Sequence, residues 1–501
     1  MQDPLFIIVD LFCGGGGTTT GFHMAEKGIA QVIACVNHDP IAIRSHAKNY
    51  PDCYHFTEDM RSLDLTELVR IVKYYRAKYP NALLILWASL ECTNFSKAKG
   101  GQPRDADSRT LADHLDRYIL AIHPDYVQIE NVVEFMSWGP LDENGKPVSR
   151  KNGQDWMRWR KSICDHGYVD EWQELNSANF GAYTSRNRLF GVFAKPWMPV
   201  AWPAPTHSKN PSKQSMFGDL KKWMPVKEVL DFTDEGESIL TRSKALSDKT
   251  LERIYAGLVK YVAKGDTAFI SKYFSGTTSD KNISVDGPAG TVTCRDHHSL
   301  IQSEFLAAYY GNGDNVSSVE RPCPTVPTKD RFGVVQPKYF IDKHFGAAQN
   351  QSIHQPAGTV MPNDKHRLVK CDSFILNPSH GGHSTTTDNP CPVIVARQDK
   401  APLYLVQAEN GPVKVAVYDG DSEIMIKIKQ FMVAYGLVDI KMRMLRVKEL
   451  LRIQGFPEGY ILEGNQSDQK KFIGNSVVPH VVKCWIEAMA NRILQDQTQV
   501  A

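Results

Sequence analysis

The sequence predicts an α/β protein in which a doubly wound sheet is joined to a second, β-rich domain. Three observations lead to this prediction: short apolar and amphipathic stretches alternate up to about residue 200, a proline-rich stretch begins at Trp197, and a 34-residue repeat follows it. With 501 residues, 42% of them hydrophobic, the chain is long enough to form two domains with separate cores.

The first region alternates predicted strands with predicted helices. Apolar runs predict strands at 5–12, 31–37, 83–89, 126–132 and 186–194. Amphipathic periodicity predicts helices at 18–28, 40–49, 64–78, 108–122 and 154–166. Because strands and helices alternate, we expect one sheet with helices on both faces. The last 75 or so residues again contain helical patterns and could complete this domain.

An internal repeat occupies much of the second region. Each copy has a proline followed four residues later by valine or isoleucine, and the copies start at Pro288, Pro322, Pro356 and Pro390. A 34-residue period also suits helical solenoids, but the proline, glycine and β-branched residues favour two short strands per copy. We therefore predict four β-hairpin units between about residues 269 and 402. These units either stack as a core or present charged tips for contact.

Composition excludes several classes of protein. The chain has 58 basic and 56 acidic residues, and this net charge of +2 neither requires nor excludes a nucleic-acid partner. Ten cysteines are scattered without a CxxC pair or a His/Cys grouping at zinc spacing, so we expect no disulfide framework and no metal. No apolar run approaches membrane length, and the first residues lack the basic part of a signal peptide. We expect a soluble protein in the reducing cytoplasm.

The segment from Asp10 to Phe22 follows the first predicted strand and enters the first predicted helix. It contains four consecutive glycines, Gly14 to Gly17, which let the backbone approach a ligand at a helix N-terminus with free amides. A nucleotide-type cofactor site is one interpretation of this loop, and a plain tight turn is the other.

Other segments place reactive side chains at predicted strand ends. Cys92 follows the strand at 83–89, where α/β enzymes hold catalytic groups, although a lone cysteine is more often a small core residue. Glu130 ends the next strand, and Arg186 and Arg188 begin another with both side chains on one face. Taken singly, Glu130 also suits a helix cap, and the arginines suit a solvated edge strand.

In this order, the motifs resemble those of the DNA cytosine-5 methyltransferase family. The resemblance runs from Asp10 to about Lys195 and resumes from Met442 to Pro479, with Gly474-Asn475-Ser476 near its end. Between these stretches the family carries a variable target-recognition domain. The resemblance therefore implies a catalytic domain at 1–205 and 427–501, a target-recognition domain at 206–426, S-adenosylmethionine as cofactor and double-stranded DNA as substrate.

The chemistry of cytosine fits these residues. Carbon 5 is a poor nucleophile, so a thiolate must first add to carbon 6, and Cys92 suits that role. A carboxyl group at ring nitrogen 3 and a cation near the ring carbonyl assist the addition, tasks suited to Glu130 and Arg186. Arg188 suits support or phosphate contact. Because carbon 6 is shielded in a duplex, the base must be flipped out.

The resemblance also assigns residues to the cofactor and to DNA. The residues assigned to the cofactor are Asp10, Phe12, Gly14, Gly16, Gly17, Asn37, Asp59 and Asn475. Among them, the resemblance places Asp59 at the adenine and Asn37 at the ribose, and Asn475 closes the site. The charged repeat tips, which are the candidates for DNA contact, are Arg295, His297, Lys329, Arg331, Lys365, His366 and Arg397.

The chain departs from the family pattern at several positions. Glu91 replaces a proline, Thr93 replaces a glutamine, Asn37 replaces an acidic residue, and Tyr183-Thr184 replaces Pro-Gln. These changes suggest a divergent branch.

Two other functions stay open at this point: an RNA cytosine-5 methyltransferase of the same fold, and a non-catalytic DNA-binding member. The repeat-bearing insert favours duplex DNA, and the joint presence of Cys92, Glu130 and Arg186 favours an enzyme. We expect a monomer, and a cognate restriction nuclease is a candidate partner.

Overall fold

The computed structural model describes residues 3–90, 111–140, 142–143, 148–149, 152–211, 219–231, 233–234, 236–261, 417–435 and 437–500, and the backbone of strands between 269 and 410. The chain forms two compact units. Unit 1 comprises Met1–Lys222 and Gln454–Ala501, and unit 2 comprises Trp223–Ile453. The functional boundaries near residues 205 and 427 stay a prediction.

A seven-stranded sheet is the centre of unit 1. Its strands are β1 (Phe6–Leu11), β2 (Ala30–Val36), β3 (Tyr54–Phe56), β4 (Leu83–Ser89), β5 (Tyr126–Asn131), β6 (Val169–Asn176) and β7 (Asn187–Ala194). They lie in the order β3-β2-β1-β4-β5-β7-β6. Neighbours from β3 to β5 run parallel, whereas β7 is antiparallel to both β5 and β6. The predicted doubly wound sheet is therefore confirmed.

The described α-helices of unit 1 include one near each predicted position, and further helices lie in unit 2 and near the end of the chain. In chain order they are α1 (Gly17–Met24), α2 (Pro40–Asn49), α3 (Thr66–Lys78), α4 (Leu115–Ile122), α5 (Gln154–Cys164), α6 (Asp248–Tyr261), α7 (Glu423–Tyr435), α8 (Val447–Gln454), α9 (Gln466–Asn475) and α10 (Pro479–Val500). In the part of the chain that the structure describes, none of them combines the length and apolar character needed to cross a membrane.

Local chemistry explains where two of these helices begin. At α2, the Asp39 carboxylate accepts hydrogen bonds from the backbone amides of Ile41 and Ala42 at 2.9 and 3.4 Å, and Pro40 occupies the first helical position. At α9, Asn465 and Asp468 form a reciprocal capping box. Both helix starts therefore follow from local sequence.

The sheet of unit 1 has apolar residues on both faces. Alternate residues of β1 enter different clusters, with Ile7 and Val9 on one face and Phe6 and Ile8 on the other. The first cluster includes buried residues of α3, α4 and α5, and the second includes buried residues of α1 and α10. Because both faces are covered, the central strands read as continuous apolar runs.

Two strands of this sheet were not predicted. β3 has three residues, too few to show a pattern. β6 is an edge strand whose sequence is Val-Asp-Glu-Trp-Gln-Glu-Leu-Asn, and most of its side chains are exposed or half-buried. It pairs with β7 along its whole length, and Trp172 and Leu175 pack against the core. Its largely polar sequence gives no strand pattern.

The remaining strands are short or lie in unit 2. They are β8 (His207–Ser208), β9 (Lys221–Lys222), β10 (Glu237–Ser238), β11 (Phe269–Lys272), β12 (Asn282–Ser284), β13 (His298–Gln302), β14 (Phe305–Ala308), β15 (Val316–Ser317), β16 (Phe332–Val335), β17 (Tyr339–Lys343), β18 (Gln349–Ser352), β19 (His366–Lys370), β20 (Phe374–Leu376), β21 (Tyr404–Asn410) and β22 (Leu437–Met444). One sheet of unit 2 has the order β12-β11-β13-β22-β21-β20, with β10 also paired to β22.

The repeats do form strands, but the predicted two strands per copy are wrong for the first three copies. In each of them, the first strand pairs antiparallel with both the second and the third, giving the orders β12-β11-β13, β15-β14-β16 and β18-β17-β19. The extra strands, such as β18, are polar and are held by backbone pairing, so the apolar pattern missed them. The Pro-containing segments at 288–292, 322–326 and 356–360 lie outside the described residues.

A buried ion pair lies in unit 2. Nη2 of Arg443 on β22 is 2.8 Å from Oε1 of Glu449 on α8, and each side chain is 5% exposed. The Glu449 carboxylate also accepts hydrogen bonds from the backbone amides of Asp231 and Arg446 at 2.8 and 2.7 Å. Arg443 and Glu449 therefore satisfy each other and link three segments of unit 2.

Candidate active site

The carboxyl ends of the parallel strands meet along one edge of the unit 1 sheet. Leu11 at the end of β1 pairs with Val36 of β2 and Ala88 of β4, and Ser89 of β4 pairs with Glu130 of β5. The segments that leave these strands therefore start close together, at the edge where open α/β sheets bind ligands.

The glycine loop connects β1 to α1. Gly14 and Gly16 have positive φ angles of +51° and +91°, a conformation that suits glycine. α1 begins at Gly17, and no side chain caps its first turn. A Cβ atom on Gly14 would meet nothing closer than the Phe12 carbonyl oxygen at 3.7 Å. Phe12, the predicted cofactor residue that enters this loop, also has a positive φ, of 61°.

Asp10 lies at the end of β1 beneath this loop, fully buried. Its Oδ2 accepts a hydrogen bond from Oγ1 of Thr19 at 3.0 Å, whereas its Oδ1 has no hydrogen-bond partner among the described residues. Burial raises the pKa of Asp10 to about 8, and the Thr19 hydrogen bond only partly opposes this. A buried oxygen without a partner is a candidate acceptor for a ligand.

Two further predicted cofactor residues leave the neighbouring strands. Asn37 follows β2, and its Oδ1 accepts a hydrogen bond from the Asp39 amide at 2.9 Å. Asp59 follows β3 and is paired with Arg61, with 2.6 Å between Oδ2 and Nη2. The Arg61 hydrogen bonds lower the pKa of Asp59 to about 2, so its carboxylate is ionised at neutral pH. Both residues lie at the same sheet edge as the glycine loop.

Glu130 and Arg188 form the charged pair of the site. Glu130 is the next-to-last residue of β5 and is 5% exposed, and its Oε1 is 3.4 Å from Nε of Arg188 on β7. Burial raises the pKa of the Glu130 carboxyl group, whereas Arg188 and Arg186 act to lower it. Oε1 makes no hydrogen bond with the described residues. The carboxyl group is therefore desolvated and available to bind a polar ring atom.

Arg186 joins the two separated stretches of unit 1. Its side chain is 2% exposed, and its Nη1 donates a hydrogen bond to the Gly474 carbonyl oxygen at 2.9 Å. Its own carbonyl oxygen accepts hydrogen bonds from the amide and Oγ of Ser177. Asn475, at the end of α9, is exposed. The structure thus brings the residue before Asn475 to Arg186.

Cys92 lies outside the described residues, as do Glu91 and Thr93. The chain is described as far as Leu90, which is buried and whose carbonyl oxygen accepts a hydrogen bond from Nδ2 of Asn131 at 3.4 Å. Asn131 directly follows Glu130. Leu90, two residues before Cys92, is therefore hydrogen-bonded to the strand that carries Glu130.

Sequence reasoning missed Thr19 and Tyr460. Oγ1 of Thr19 bridges Asp10 and the ring of His46, with 2.9 Å between Oγ1 and Nε2. The hydroxyl of Tyr460 donates a hydrogen bond to the Gly15 carbonyl oxygen at 2.6 Å. Thr19 stands within a quoted motif, so its position next to a buried aspartate could have drawn attention. Nothing in the sequence distinguishes Tyr460.

Comparison with known proteins assigns the chain to a family. The family model for C-5 cytosine-specific DNA methylases matches residues 6–305 and 379–491. The chain belongs to this family. DNA methyltransferases of this family use S-adenosylmethionine as methyl donor. The seven-stranded sheet of this methylase-family chain fits the fold of such enzymes.

Individual relatives are distant. The chain is 28% identical to the type II methyltransferase M.XorII of Xanthomonas oryzae pv. oryzae over 201 residues, which are 40% of this chain and 43% of that protein. It is 26% identical to M.AquIA of a Picosynechococcus species over 226 residues, 45% of this chain and 86% of that protein. The match thus spans less than half of M.XorII. The structure of the Entamoeba histolytica methyltransferase EhMeth aligns over 98% of this chain and 99% of that chain, with 10% identity and a TM-score of 0.44, too weak a likeness to support an argument.

The residues at the sheet edge fit the cofactor of this family. The first turn of α1 has no side-chain cap, Gly14 has a positive φ angle, and Asp10 has a buried oxygen without a partner among the described residues. These features suit a ligand that combines amine, carboxylate and ribose groups.

Proposed function

We propose that the chain transfers a methyl group from S-adenosylmethionine to carbon 5 of a flipped-out cytosine in a specific DNA sequence. The main support for this proposal is the buried carboxyl group of Glu130, which lies beside Arg188. Glu130 belongs to β5, the strand that pairs with the end of β4. β4 ends at Ser89, three residues before Cys92. A nucleophile, an acid and two cations thus belong to adjacent strand ends.

Cys92 is the proposed nucleophile. Its thiolate adds to carbon 6 of cytosine, and the electrons displaced from the ring make carbon 5 nucleophilic. The Glu130 carboxyl group hydrogen-bonds or protonates ring nitrogen 3 during this addition, which suits a carboxyl group whose pKa is raised by burial. When bound, the cofactor supplies the electrophilic methyl group. Loss of the proton from carbon 5 then expels the Cys92 thiolate and restores the ring.

The two arginines have different proposed tasks. Arg188 faces the Glu130 carboxyl group, so it is a positioning residue for the proton at ring nitrogen 3. Arg186 is close enough to lower the pKa of Glu130, and its Nη1 binds Gly474. We assign Arg186 to the developing charge at the ring carbonyl oxygen, because a fixed, buried guanidinium stabilises such charge without reorganising.

The cofactor is held by residues of the first three strand ends and of α9. Gly14 and Gly17 are the proposed donors of backbone amides, Gly16 allows the turn between them, and Phe12 covers the cofactor. Asp10 offers the oxygen that has no partner among the described residues. Asn37, Asp59 and Asn475 complete the proposed set. The Asp59 carboxylate is ionised and can accept a hydrogen bond from an adenine amino group while Arg61 stays bound.

The repeats are the proposed site of DNA recognition. This proposal rests on the family resemblance and on the position of the repeats between the two catalytic stretches. The tips Arg295, His297, Lys329, Arg331, Lys365 and Arg397 lie outside the described residues, and only the backbone of His366 is described. We propose that the protein acts as a monomer on double-stranded DNA in the cytoplasm, and a cognate restriction nuclease stays a candidate partner.

A covalent trap tests the chemistry. Duplex DNA with 5-fluorocytosine at the target cannot lose fluorine as it would lose a proton, so Cys92 stays attached. We expect a denaturant-resistant complex that requires S-adenosylmethionine and is missing with the Cys92→Ser chain and with unfluorinated DNA. If the chain methylates DNA but forms no such complex, transfer to the exocyclic amine replaces this mechanism. An RNA duplex in a parallel assay, methylated in preference to DNA, would instead favour RNA as substrate.

A further inference from the structure

Two cysteines and two histidines converge beside the glycine loop. They are Cys35 on β2, His46 on α2, Cys53 before β3 and His55 on β3. One ligand atom of each residue lies within 4.8 Å of those of the other three. Cys35, His46 and Cys53 are buried, and His55 is half-buried. Within the described residues, this is the group of such side chains whose donor atoms could hold one metal ion.

We propose that Cys35, His46, Cys53 and His55 bind one Zn²⁺ ion as a structural site in unit 1. Zn²⁺ prefers four sulfur and nitrogen ligands in a tetrahedron and uses Cys₂His₂ sets for structural sites. No part of the proposed methyl transfer uses these four residues. The site departs from the expectation of no metal that the cysteine spacing gave.

The distances between donor atoms fit this coordination. With Zn–S near 2.3 Å and Zn–N near 2.0–2.1 Å, adjacent ligand atoms of a tetrahedron lie about 3.3–3.8 Å apart. Sγ of Cys35 is 3.7 Å from Nδ1 of His46, and Nδ1 of His46 is 2.9 Å from Nε2 of His55. With no pair beyond 4.8 Å, shifts of under about 1 Å bring all four atoms to coordination distance.

His46 is oriented by partners outside the group. Its Nε2 is 2.9 Å from Oγ1 of Thr19, and that hydroxyl donates to Oδ2 of Asp10. The Thr19 oxygen therefore accepts from Nε2–H of His46, which leaves the lone pair of Nδ1 directed at Cys35 and His55. The second ring N–H of a metal-bound histidine commonly donates a hydrogen bond to a carboxylate or another acceptor in this way.

The charges also fit a dication. When Zn²⁺ binds, it sheds its waters, and the two thiols release two protons to solvent. The site is then neutral overall, with two thiolates and one dication.

Metal binding by the full-length chain tests the proposal. The chain is stripped with a chelator under reducing conditions and titrated with Co²⁺ as a spectroscopic substitute, then with Zn²⁺. We expect one Co²⁺ per chain, with the intense visible bands of tetrahedral Co²⁺ and a thiolate charge-transfer band. We also expect Zn²⁺ to displace Co²⁺ and to raise the melting temperature of the stripped chain.

Matched variants identify the ligands. Cys53→Ser and His55→Gln should each weaken Co²⁺ binding at least tenfold and remove or shift the visible bands. Cys164→Ser and His207→Gln, outside the group, should leave them unchanged. His55 is half-buried, so a melting curve of the metal-free His55→Gln chain that matches the metal-free wild type establishes that the variant is folded.

Two results would overturn the proposal. One is a folded wild-type chain that binds Co²⁺ and Zn²⁺ no more tightly than the His55→Gln chain. The other is an unreduced chain lighter by two hydrogens, with Cys35 and Cys53 joined in a disulfide, because those sulfurs could not then bind metal as thiolates.

Discussion

Gly17 and Val477 approach so closely that a Cβ atom on Gly17 would lie 2.3 Å from the Val477 carbonyl oxygen. The same Cβ would lie 2.9 Å from Cβ of Ser476. The glycine loop near the start of the chain and the Asn475 segment near its end are therefore in close contact. Only a residue without a side chain allows this contact.

The Gly17→Ala substitution should destabilise unit 1 by about 1–3 kcal/mol, because neither backbone can move away without disturbing a helix end. S-adenosylmethionine binding, measured by calorimetry, should weaken as the loop shifts. Gly139→Ala is the matched control, since its Cβ would meet nothing closer than 3.8 Å. Equal denaturation midpoints for the two variants would contradict the close approach.

The Cys92→Ala substitution should abolish methyl transfer and leave cofactor binding nearly intact, because the thiol supplies covalent activation and no part of the proposed cofactor pocket. Transfer of tritiated methyl groups to DNA and calorimetric titration with the cofactor measure the two properties. Cys164→Ala serves as the control and should keep full activity. Residual transfer by Cys92→Ala beyond the uncatalysed rate rules out Cys92 as the nucleophile.

The Glu130→Gln substitution should lower methyl transfer by about 10²–10⁴-fold, the usual range for loss of a general acid. It should also change how stability depends on pH. Because burial raises the pKa of Glu130, the folded chain holds this proton more tightly than the unfolded chain. Its contribution to stability is fully present below the ordinary carboxyl pKa of about 4.3 and is lost as pH rises through the raised pKa.

Melting temperatures across this pH range measure the effect. The wild-type value minus the Glu130→Gln value should decrease as pH rises above about 4. The Glu26→Gln chain, altered at an exposed carboxyl group, is measured over the same range as a control. If the difference for Glu130→Gln does not change with pH, the pKa of Glu130 is the same in the folded and the unfolded chain.

The Arg443→Met substitution should lower the free energy of unfolding by about 3–5 kcal/mol, because it leaves the Glu449 carboxylate buried without its cation. Arg446→Met breaks a 2.6 Å ion pair with Asp234, but the Arg446 side chain is 65% exposed, so its loss should cost under about 1 kcal/mol. Chemical denaturation of both variants provides the comparison. Similar costs would show that Arg443 is not desolvated as described.

Alanine substitutions at Arg295, Lys329, Arg331 and Arg397 test the repeats. Where the replaced residue contacts a guanine edge, the alanine variant should lose roughly 1–3 kcal/mol of binding free energy and should tolerate other bases at one position. Where the replaced residue contacts a phosphate, the variant should bind all DNA sequences more weakly by about the same factor, and its affinity should depend less on salt. If all four variants keep wild-type affinity and site preference, the repeats are scaffold, and recognition belongs to residues 206–268 or to the loop after Cys92.

Much of the unit 1 fold follows from sequence, because strands buried on both faces are continuous apolar runs. β1, β2, β4, β5 and β7 all lie within a residue or two of their predicted positions. β6 was not predicted because it is a largely polar edge strand, although Trp172 and Leu175 pack against the core. The same limitation applies to the second strand of the first three repeats, such as β18, which pairs with the first strand although its residues are polar.

The charged part of the site was also predictable in outline. The sequence places Glu130, Arg186 and Arg188 at strand ends, and the structure brings Glu130 to Arg188 and Arg186 to Gly474. The group formed by Cys35, His46, Cys53 and His55 was not predictable, because its members come from two strands, a helix and a loop. Zinc motifs are recognised by two closely spaced ligand pairs, whereas here Cys53 and His55 are close in sequence but Cys35 and His46 are eleven residues apart.

The discontinuity of unit 1 has a consequence for its synthesis. Trp485 of α10 packs against Trp87 and Phe190, with 5.7 Å between ring centroids in each pair, and α10 helps to cover one face of the sheet. On the ribosome, β1 to β7 emerge before all of unit 2 and well before α10. At a synthesis rate of about 5–20 residues per second, that apolar face stays exposed for roughly tens of seconds before α10 is made. We therefore expect the yield of native protein in a cell to increase when Trp223–Ile453 is translated faster or when chaperones bind the exposed strands.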